Sequence, residues 1–472
     1  MAFFSILTTY IEKITNAISQ VIYFNILSPF GITDIVLPFV IALLFFGYVF
    51  LSFKLRFIQF TKLKYCFKYA FGKKKSSEKE KKKEISSLKT LFASIASCTG
   101  MNSVAGMVFM VAVGGPGTAF WMPIIAFICM PFRFAEVYLS HSYRETTGGE
   151  FLGGPFDYIK KGLKELKFVK LGKILAFAYA FIMVFSGTTG LALYETNQFV
   201  SVISGSFKFL TDKQLILTII LVCVVFVILS GGTTRILKVL GTILPIIAIM
   251  YISVSLIVIM ANANKIGSAL ILIVEDALHP RAIAGGFLAS FCICARKFCL
   301  ANETGMGTAG IVHSSSSEKD SVKEATSAMM TPLISCFCVC MMSAFVLIIT
   351  GFYQDESTKL GSIAIFNAFG SVNKFFPYVI TILVPMLAFN VLLGWSNYVI
   401  KCATYCFKKK IAVKISVAIF LVSAFIGGNI NDFNLIMQIV DSIMMFLIII
   451  NVPIICILSG KVYNKLKEYK FR

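Results

Sequence analysis

Apolar stretches of about twenty residues recur along the chain and alternate with short polar segments. A helix needs about 20 apolar residues to cross the hydrocarbon core of a bilayer, so each stretch predicts one membrane span. The predicted spans cover residues 34–53, 90–113, 118–140, 172–204, 213–230, 238–261, 280–300, 324–351, 373–402, 411–427 and 434–458. The pattern therefore predicts an all-α polytopic membrane protein with about eleven transmembrane helices.

The segments between these spans divide the chain further. Residues 1–33 place Glu12, Lys13 and Asn16 among apolar residues at helical spacing, which predicts an amphipathic segment at the membrane interface. The other predicted units are an extra transmembrane helix, a basic cytoplasmic loop, a first five-helix repeat, a connecting segment, a second five-helix repeat and a cytoplasmic tail: 34–56, 57–89, 90–262, 263–279, 280–460 and 461–472.

The two groups of five spans open in a similar way. Small residues are frequent in the opening span of each group, including Gly100 and Ser103 in the first, and Gly285, Gly286 and Ser290 in the second. Because five spans make up the first group, the two opening spans cross the membrane in opposite directions. Interrupted spans at corresponding positions of two inverted halves indicate a transporter site near mid-membrane.

The basic residues predict the orientation. With the amino terminus outside, 36 of the 44 Lys and Arg residues fall in loops assigned to the cytoplasm, as the positive-inside rule requires. The carboxy terminus is then cytoplasmic. The net charge of +21 comes from these loops, so the expected partner is the bilayer and not a nucleic acid.

The stretch 94–107 carries Ser, Thr, Gly and Asn residues in the middle of an apolar span. Backbone groups freed by a break in a membrane helix can bind a substrate carboxylate and a cation. Small residues also allow two continuous helices to pack closely. The residues of this stretch leave both interpretations open.

Other functional classes are poorly supported by the sequence. The three histidines, His141, His279 and His313, are scattered, and no paired-carboxylate or metal-binding motif accompanies them, so we do not predict an enzyme or a bound cofactor. No repeated pore helix or selectivity ring indicates a channel. The 13 cysteines lie mostly in apolar spans and are interpreted as small buried side chains, not as disulfides.

Several sequence blocks resemble the alanine or glycine:cation symporter family, whose members are sodium:alanine symporter-like. The blocks are Gly114-Gly-Pro-Gly-Thr-Ala-Phe-Trp121, Arg133-Phe-Ala-Glu136, Tyr143-Arg-Glu145, Gly153-Gly-Pro-Phe-Asp-Tyr-Ile159, Asn302-Glu-Thr-Gly-Met-Gly-Thr-Ala-Gly-Ile-Val-His313 and Leu393-Gly-Trp-Ser396. The resemblance implies a leucine-transporter-type fold, with a 5+5 inverted-repeat core and one extra amino-terminal span. It also implies import of alanine or glycine with Na⁺ across a bacterial plasma membrane. We expect a monomer.

The resemblance also assigns site residues. Those expected to bind substrate are Thr99, Gly100, Met101, Asn102, Ser103, Glu195, Asn197 and Phe287. Na⁺ is expected at Thr99 and Asn390, although Asn390 could instead make an interhelical hydrogen bond, and Phe287 could be plain core. Structural or gating roles are expected for Arg133, Glu136, Asn302, Glu303 and His313, with Arg133 and Glu136 forming a structural pair and His313 lying in a cytoplasmic loop.

The chain departs from the family pattern at three of these positions. Met101 and Asn102 replace a Thr and a Gly, and Glu195 replaces a Gln. Glu195 could pair with a substrate ammonium group, coordinate the cation, exchange a proton, or donate a hydrogen bond between helices. The alternatives to a Na⁺-coupled alanine carrier are therefore an altered substrate, H⁺ coupling, or an amino-acid sensor that does not transport.

Overall fold

The computed structural model describes residues 20, 22, 24–30, 37–72, 85–147, 150–210, 212–278, 287–354, 363–430 and 433–471. One antiparallel hairpin joins β1 (Glu145–Thr147) to β2 (Glu150–Leu152), with Thr146 opposite Phe151. The helices of the described ranges are α1 (Phe39–Lys54), α2 (Ile58–Thr61), α3 (Leu63–Phe71), α4 (Ser87–Cys98), α5 (Ala105–Gly114), α6 (Thr118–Ser142), α7 (Pro155–Glu165), α8 (Val169–Ser206), α9 (Gln214–Leu229), α10 (Gly232–Ala261), α11 (Ile266–Leu278), α12 (Phe287–Asn302), α13 (Thr308–His313), α14 (Ser321–Thr350), α15 (Ile363–Gly370), α16 (Phe376–Phe407), α17 (Lys410–Gly427) and α18 (Phe433–Glu468).

Seven of the described helices are long and apolar enough to cross a membrane. They are α6, α8, α10, α14, α16, α17 and, over Ile443–Glu468, α18. Three shorter apolar helices, α1, α5 and α9, cover further predicted spans. Large apolar side chains such as Ile219, Ile249 and Ile415 lie on the surface, where lipid would cover them. The chain is therefore a multi-pass membrane protein, and the number of eleven crossings stays a prediction.

Two segments predicted as connections contain helices. The basic loop 57–89 includes α2, α3 and the start of α4, and the connecting segment 263–279 includes α11. Helix α11 packs against α6, and its Asp276 Oδ2 accepts a hydrogen bond of 2.7 Å from the Gly117 amide at the start of α6. The predicted interfacial segment 1–33 lies mostly outside the described residues.

Local sequence explains several helix ends. The Ser86 side chain accepts a hydrogen bond from the Lys89 amide at the start of α4, and Asp320 Oδ1 accepts from Val322 and Lys323 at the start of α14. Such caps satisfy amide groups that have no partner within the helix. Pro155 at the first position of α7 needs no such partner because it has no amide hydrogen.

The first small-residue stretch is a true helix break. Helix α4 ends at Cys98, a short 3₁₀ turn covers Met101–Ser103, and α5 begins at Ala105. This observation decides between the two interpretations of residues 94–107, because a simple packing seam would have left the helix continuous.

A second helix break follows α12. Ser290 belongs to the continuous helix α12, whereas Gly285 and Gly286 lie outside the described residues. The helix stops at Asn302, and Gly305 and Gly307 then take left-handed φ angles of 102° and 93°, which favour glycine. Helix α13 follows, so the segment between the predicted spans 280–300 and 324–351 contains helix and is not simply a loop.

The two broken helices run side by side in opposite directions. Helix α12 packs against α5, while α13 packs against α4. One broken helix runs from α4 to α5 and the other from α12 to α13. Because the first half of each packs against the second half of the other, the two broken helices are antiparallel. Helices α6 and α16 pack beside them. The complete inverted repeat that the resemblance implies stays a prediction.

Candidate functional site

The carboxyl group of Glu195 lies at the first helix break. A β-carbon added to Gly100 would lie 2.9 Å from Glu195 Oε1. The carboxyl also lies beside the backbone of Met101. Glu195 is 2% exposed, and Oε2 has no hydrogen-bond partner among the described residues. The protein's own carboxyl group therefore occupies part of the space beside the break.

Glycine at position 100 is required by space and not by its torsion angles. Its φ of −112° is accessible to any residue, so the torsion gives no reason for glycine. An added β-carbon would lie 2.6 Å from Val391 Cγ2 on α16, closer than real side chains approach one another. The break thus fits tightly between α16 and Glu195.

Helix α14 binds the other side of the first break. The Thr99 hydroxyl donates to Ser335 Oγ at 3.3 Å, and Ser343 Oγ donates to the Ser103 carbonyl at 3.4 Å. Thr99 and Ser103 are both fully buried. The side chain of Asn102 lies outside those that the structure describes. These contacts hold the unwound segment in place by side chains instead of by helical hydrogen bonds.

Asn390 lies on α16 next to Val391, the residue that contacts Gly100. It is fully buried, and neither Oδ1 nor Nδ2 has a hydrogen-bond partner within the described ranges. Asn397, two helical turns further along α16, is also fully buried, and its Oδ1 and Nδ2 likewise have no hydrogen-bond partner among the described residues. Leaving a buried polar group unpaired costs about 1–3 kcal/mol. The interhelical hydrogen bond considered for Asn390 is therefore not formed among these residues.

Gly394 lies between these two asparagines and lets α16 approach α4 closely. A β-carbon there would lie 2.4 Å from the Ser97 side chain, one turn before the break. Asn390, Gly394 and Asn397 repeat at spacings of four and three, so they share one face of α16. Asn397 was not among the predicted site residues, although its spacing from Asn390 was a readable signal.

Arg133 and Glu136 of α6 form hydrogen bonds with residues at the second break. Arg133 donates to the Asn302 carbonyl at 2.5 Å and to Thr304 Oγ1 at 2.8 Å, and Glu136 Oε1 accepts from the Gly310 amide at 3.3 Å. The two side chains also pair with each other at 3.3 Å. A cation thus lies at the carboxyl end of α12 and an anion at the amino end of α13, as the helix dipoles favour.

Glu303 occupies the second break itself. Its backbone is left-handed, with φ of 54°, and Oε1 accepts a hydrogen bond of 2.8 Å from Trp395 Nε1 on α16. The Asn302 side chain accepts from the Thr304 amide at 2.8 Å. Both residues are buried and shape the break. Glu303 is also the charged residue that lies near Glu195 in the described part of the chain.

Asn197, a predicted substrate contact, is bound away from the break. Asn197 Nδ2 donates to the carbonyls of Gly427 and Ile430 at the end of α17, and its Oδ1 accepts from Gln198 at 3.4 Å. We therefore leave Asn197 out of the candidate site. Phe287 begins α12, but its side chain lies outside those described.

His313 is the last residue of α13 and not part of a loop. It is fully buried, and Nδ1 lies 2.6 Å from Glu324 Oε1 on α14. The polar run Ser314–Ser317, which follows directly, had predicted a cytoplasmic loop at this position. The six-residue helix α13 is too short for a hydropathy pattern to reveal.

A cluster of cation contacts lies just after α13. Arg144 donates to the carbonyls of Ser314, Ser316 and Glu318 at 3.0, 2.6 and 2.8 Å. Burial lowers the pKa of Arg144 to about 10, so it keeps its charge at neutral pH. Lys401 of α16 donates to the Ile311 carbonyl at 2.8 Å. These contacts tie α16, α13 and the end of α6 together at one membrane face.

The arrangement can bind a small polar ligand and a cation at the level of the breaks. Unwound helix ends offer amide groups to a ligand and carbonyl oxygens to a cation. Hard cations prefer oxygen ligands, which Thr99, Asn390 and the break carbonyls supply. Unpaired buried atoms of Glu195 and Asn390 remain available for new hydrogen bonds.

Comparison with known proteins gives consistent results. A model of the sodium:alanine symporter family matches residues 24–472. The chain is 28% identical to the sodium/alanine symporter AgcS of Methanococcus maripaludis over 92% of this chain and 94% of that protein. It is 29% identical to the probable sodium/glutamine symporter GlnT of Bacillus subtilis, over 91% and 87%. The amino-acid carrier protein AlsT of Bacillus subtilis is 25% identical, over 83% and 81%.

Proposed function

Because the chain belongs to the sodium:alanine symporter family, and is thus a sodium-coupled amino acid symporter, we propose that it imports a small neutral amino acid such as alanine or glycine. The substrate and Na⁺ bind between the two helix breaks, and alternating access opens this site to one side of the membrane at a time. The names of relatives, which include alanine and glutamine carriers, support a neutral substrate.

The observation that carries this proposal is the pair of antiparallel helix breaks with unpaired polar atoms beside them. Backbone without regular helical hydrogen bonds is tolerated at membrane depth only where it is buried in protein or lines a cavity. In this chain, the first break borders Glu195, and Asn390 lies next to Val391, which contacts that break. A binding site accounts for both the breaks and the unpaired atoms.

Na⁺ is the proposed coupling ion, and Thr99 and Asn390 are its proposed side-chain ligands. Both residues are fully buried and carry an oxygen. The Thr99 hydroxyl now donates to Ser335, which leaves its lone pairs available for a cation. H⁺ coupling is a second candidate because Glu195 is an ionisable group at the break. The expected location is a plasma membrane, with the carboxy terminus in the cytoplasm.

The test is uptake of labelled alanine by proteoliposomes containing the purified chain. An inward Na⁺ gradient at equal pH on both sides should drive accumulation above the external concentration, and replacing Na⁺ with choline should abolish it. Counterflow with unlabelled alanine inside would show that the protein carries the substrate and is not only a sensor. Uptake that ignores both the Na⁺ and the pH gradient would refute symport.

A further inference from the structure

We propose that Glu195 binds the ammonium group of the substrate and excludes a carboxylate from the first helix break. The proposal rests on the function above, because it assumes that the break is the substrate site. It specifies the class of ligand: a small primary amine, recognised by its cationic nitrogen, whether or not it also carries a carboxylate.

The Glu195 carboxyl already occupies space at the first helix break. A helix end with free amide groups is a favourable place for a carboxylate. Here the Glu195 carboxyl already lies beside the backbone of Met101, and its Oε1 is 2.9 Å from where a Gly100 β-carbon would be. A substrate carboxylate would have to displace Glu195 or share the site with it.

One oxygen of the Glu195 carboxyl also needs a hydrogen-bond donor. Glu195 Oε2 is buried without a hydrogen-bond partner in the described part of the chain, although the side chain is only 2% exposed. An ionised carboxyl accepts hydrogen bonds and cannot donate them, whereas an ammonium group donates three. A primary amine is therefore the ligand that completes this carboxyl group.

The charges around Glu195 also favour a cationic ligand. The charged side chain near Glu195 is a second carboxyl, Glu303, and Arg133 is engaged with Glu136 and Asn302 at the other break. A carboxylate ligand would add a further negative charge to a buried region that already holds two carboxyl groups. A cationic ligand reduces this repulsion, because opposite charges within a few ångströms favour each other.

Competition binding tests the proposal. Labelled alanine is bound to the purified full-length protein in Na⁺, and ethylamine or propionate is added; these probes are alanine without its carboxylate and without its amino group. We expect ethylamine to displace alanine and propionate to fail at a hundredfold higher concentration. Displacement by propionate, or by neither probe, would overturn the proposal.

Two variants sharpen the test. Glu195→Gln should weaken ethylamine binding by about tenfold or more, since a buried charge partner is lost, and should allow propionate to compete. Ser201→Ala is the matched control, because Ser201 lies on an exposed face of the same helix. Glu195→Asp keeps the carboxyl and should retain the preference for ethylamine. Unchanged ethylamine binding in Glu195→Gln would contradict the proposal.

The two proposals fail in different ways. If no amino acid is taken up with Na⁺, the proposed function is wrong, whatever the probes do. If alanine does not bind, ethylamine and propionate are tested directly by the shift each causes in the thermal unfolding temperature. Stabilisation by ethylamine alone supports the inference, and stabilisation by propionate contradicts it.

Discussion

At and beside the first helix break, buried side chains have polar atoms without hydrogen-bond partners in the described ranges, among them Ser103, Glu195 and Asn390. Each unpaired group costs about 1–3 kcal/mol, so together these groups lower the free energy of unfolding of the protein. Buried polar residues within membranes are costly and commonly functional. A ligand that forms hydrogen bonds with these atoms would offset this penalty. Each of these residues is therefore expected to contribute to the binding free energy.

Gly100→Val should abolish substrate binding, because even one added carbon would lie 2.6 Å from Val391 and 2.9 Å from Glu195. Binding of labelled substrate to the purified variant measures the effect. Gly205→Val is the control, since nothing lies within 4 Å of an added β-carbon there. Normal binding by Gly100→Val would show that the break tolerates a side chain and is not the site.

Asn390→Leu should raise the Na⁺ concentration needed for half-maximal uptake, because leucine removes a buried oxygen that we propose as a cation ligand. Uptake is measured over a range of Na⁺ concentrations at fixed alanine. Asn429→Leu makes the same chemical change at an exposed position and should leave the Na⁺ dependence unaltered. An unchanged Na⁺ requirement in Asn390→Leu would exclude this residue as a ligand.

At the scale of elements, the central feature is the way in which two broken helices are stabilised. The first break is held by α14 and α16 and by Glu195 from α8. The second is held by one charged pair from α6, with Arg133 at the end of α12 and Glu136 at the start of α13. Charges of these signs stabilise the helix ends that they contact.

Arg133→Met should destabilise the protein by about 3–5 kcal/mol, because it leaves Glu136 as an unpaired buried charge. Adding Glu136→Gln to this variant should cost less than the two single losses combined. Unfolding in a graded series of denaturant compositions, with the protein in detergent micelles, measures these differences.

The matched control for this pair is on the surface. Lys461 and Glu165 form an ion pair of 3.0 Å, with 44% and 52% of their side chains exposed. Lys461→Met should change stability by less than about 1 kcal/mol, because solvent screens exposed pairs. Equal losses in Arg133→Met and Lys461→Met would contradict a structural role for the buried pair.

At the scale of the whole molecule, charge predicts the orientation, and tertiary contacts join the helices at the predicted cytoplasmic face. The basic segments that predict the cytoplasmic face include Arg144, which binds the carbonyls after α13. Helix α16 contributes Lys401 to the same cluster. An inward-opening motion would have to separate these contacts, so the cluster marks the face that we expect to open on release of substrate.

A green fluorescent protein fused after residue 472 should fluoresce, and an alkaline phosphatase fused after Lys265 should be active, because the first folds in the cytoplasm and the second outside it. Whole-cell fluorescence and phosphatase activity are the measurements. The exchanged fusions, with each reporter at the other position, serve as controls. Phosphatase activity at the carboxy terminus would reverse the predicted orientation.

Local sequence determined the broad architecture of this protein. The positions of the apolar spans were readable because the thickness of a bilayer sets their length, and each described span contains helix. The first break was readable as a candidate because Gly100 and its polar neighbours interrupt one such span. The family was identified from short blocks, and the comparison over residues 24–472 confirmed it.

Tertiary structure decided how the site is assembled. Glu195 meets Met101, Arg133 meets Asn302, and Asn197 is bound to the end of α17. Each of these contacts joins residues far apart in the chain, and neither hydropathy nor residue spacing encodes such a pairing. The break after α12 was not located from the sequence for a related reason: the short helix α13 resembles a polar loop until its packing against α4 and α6 is known.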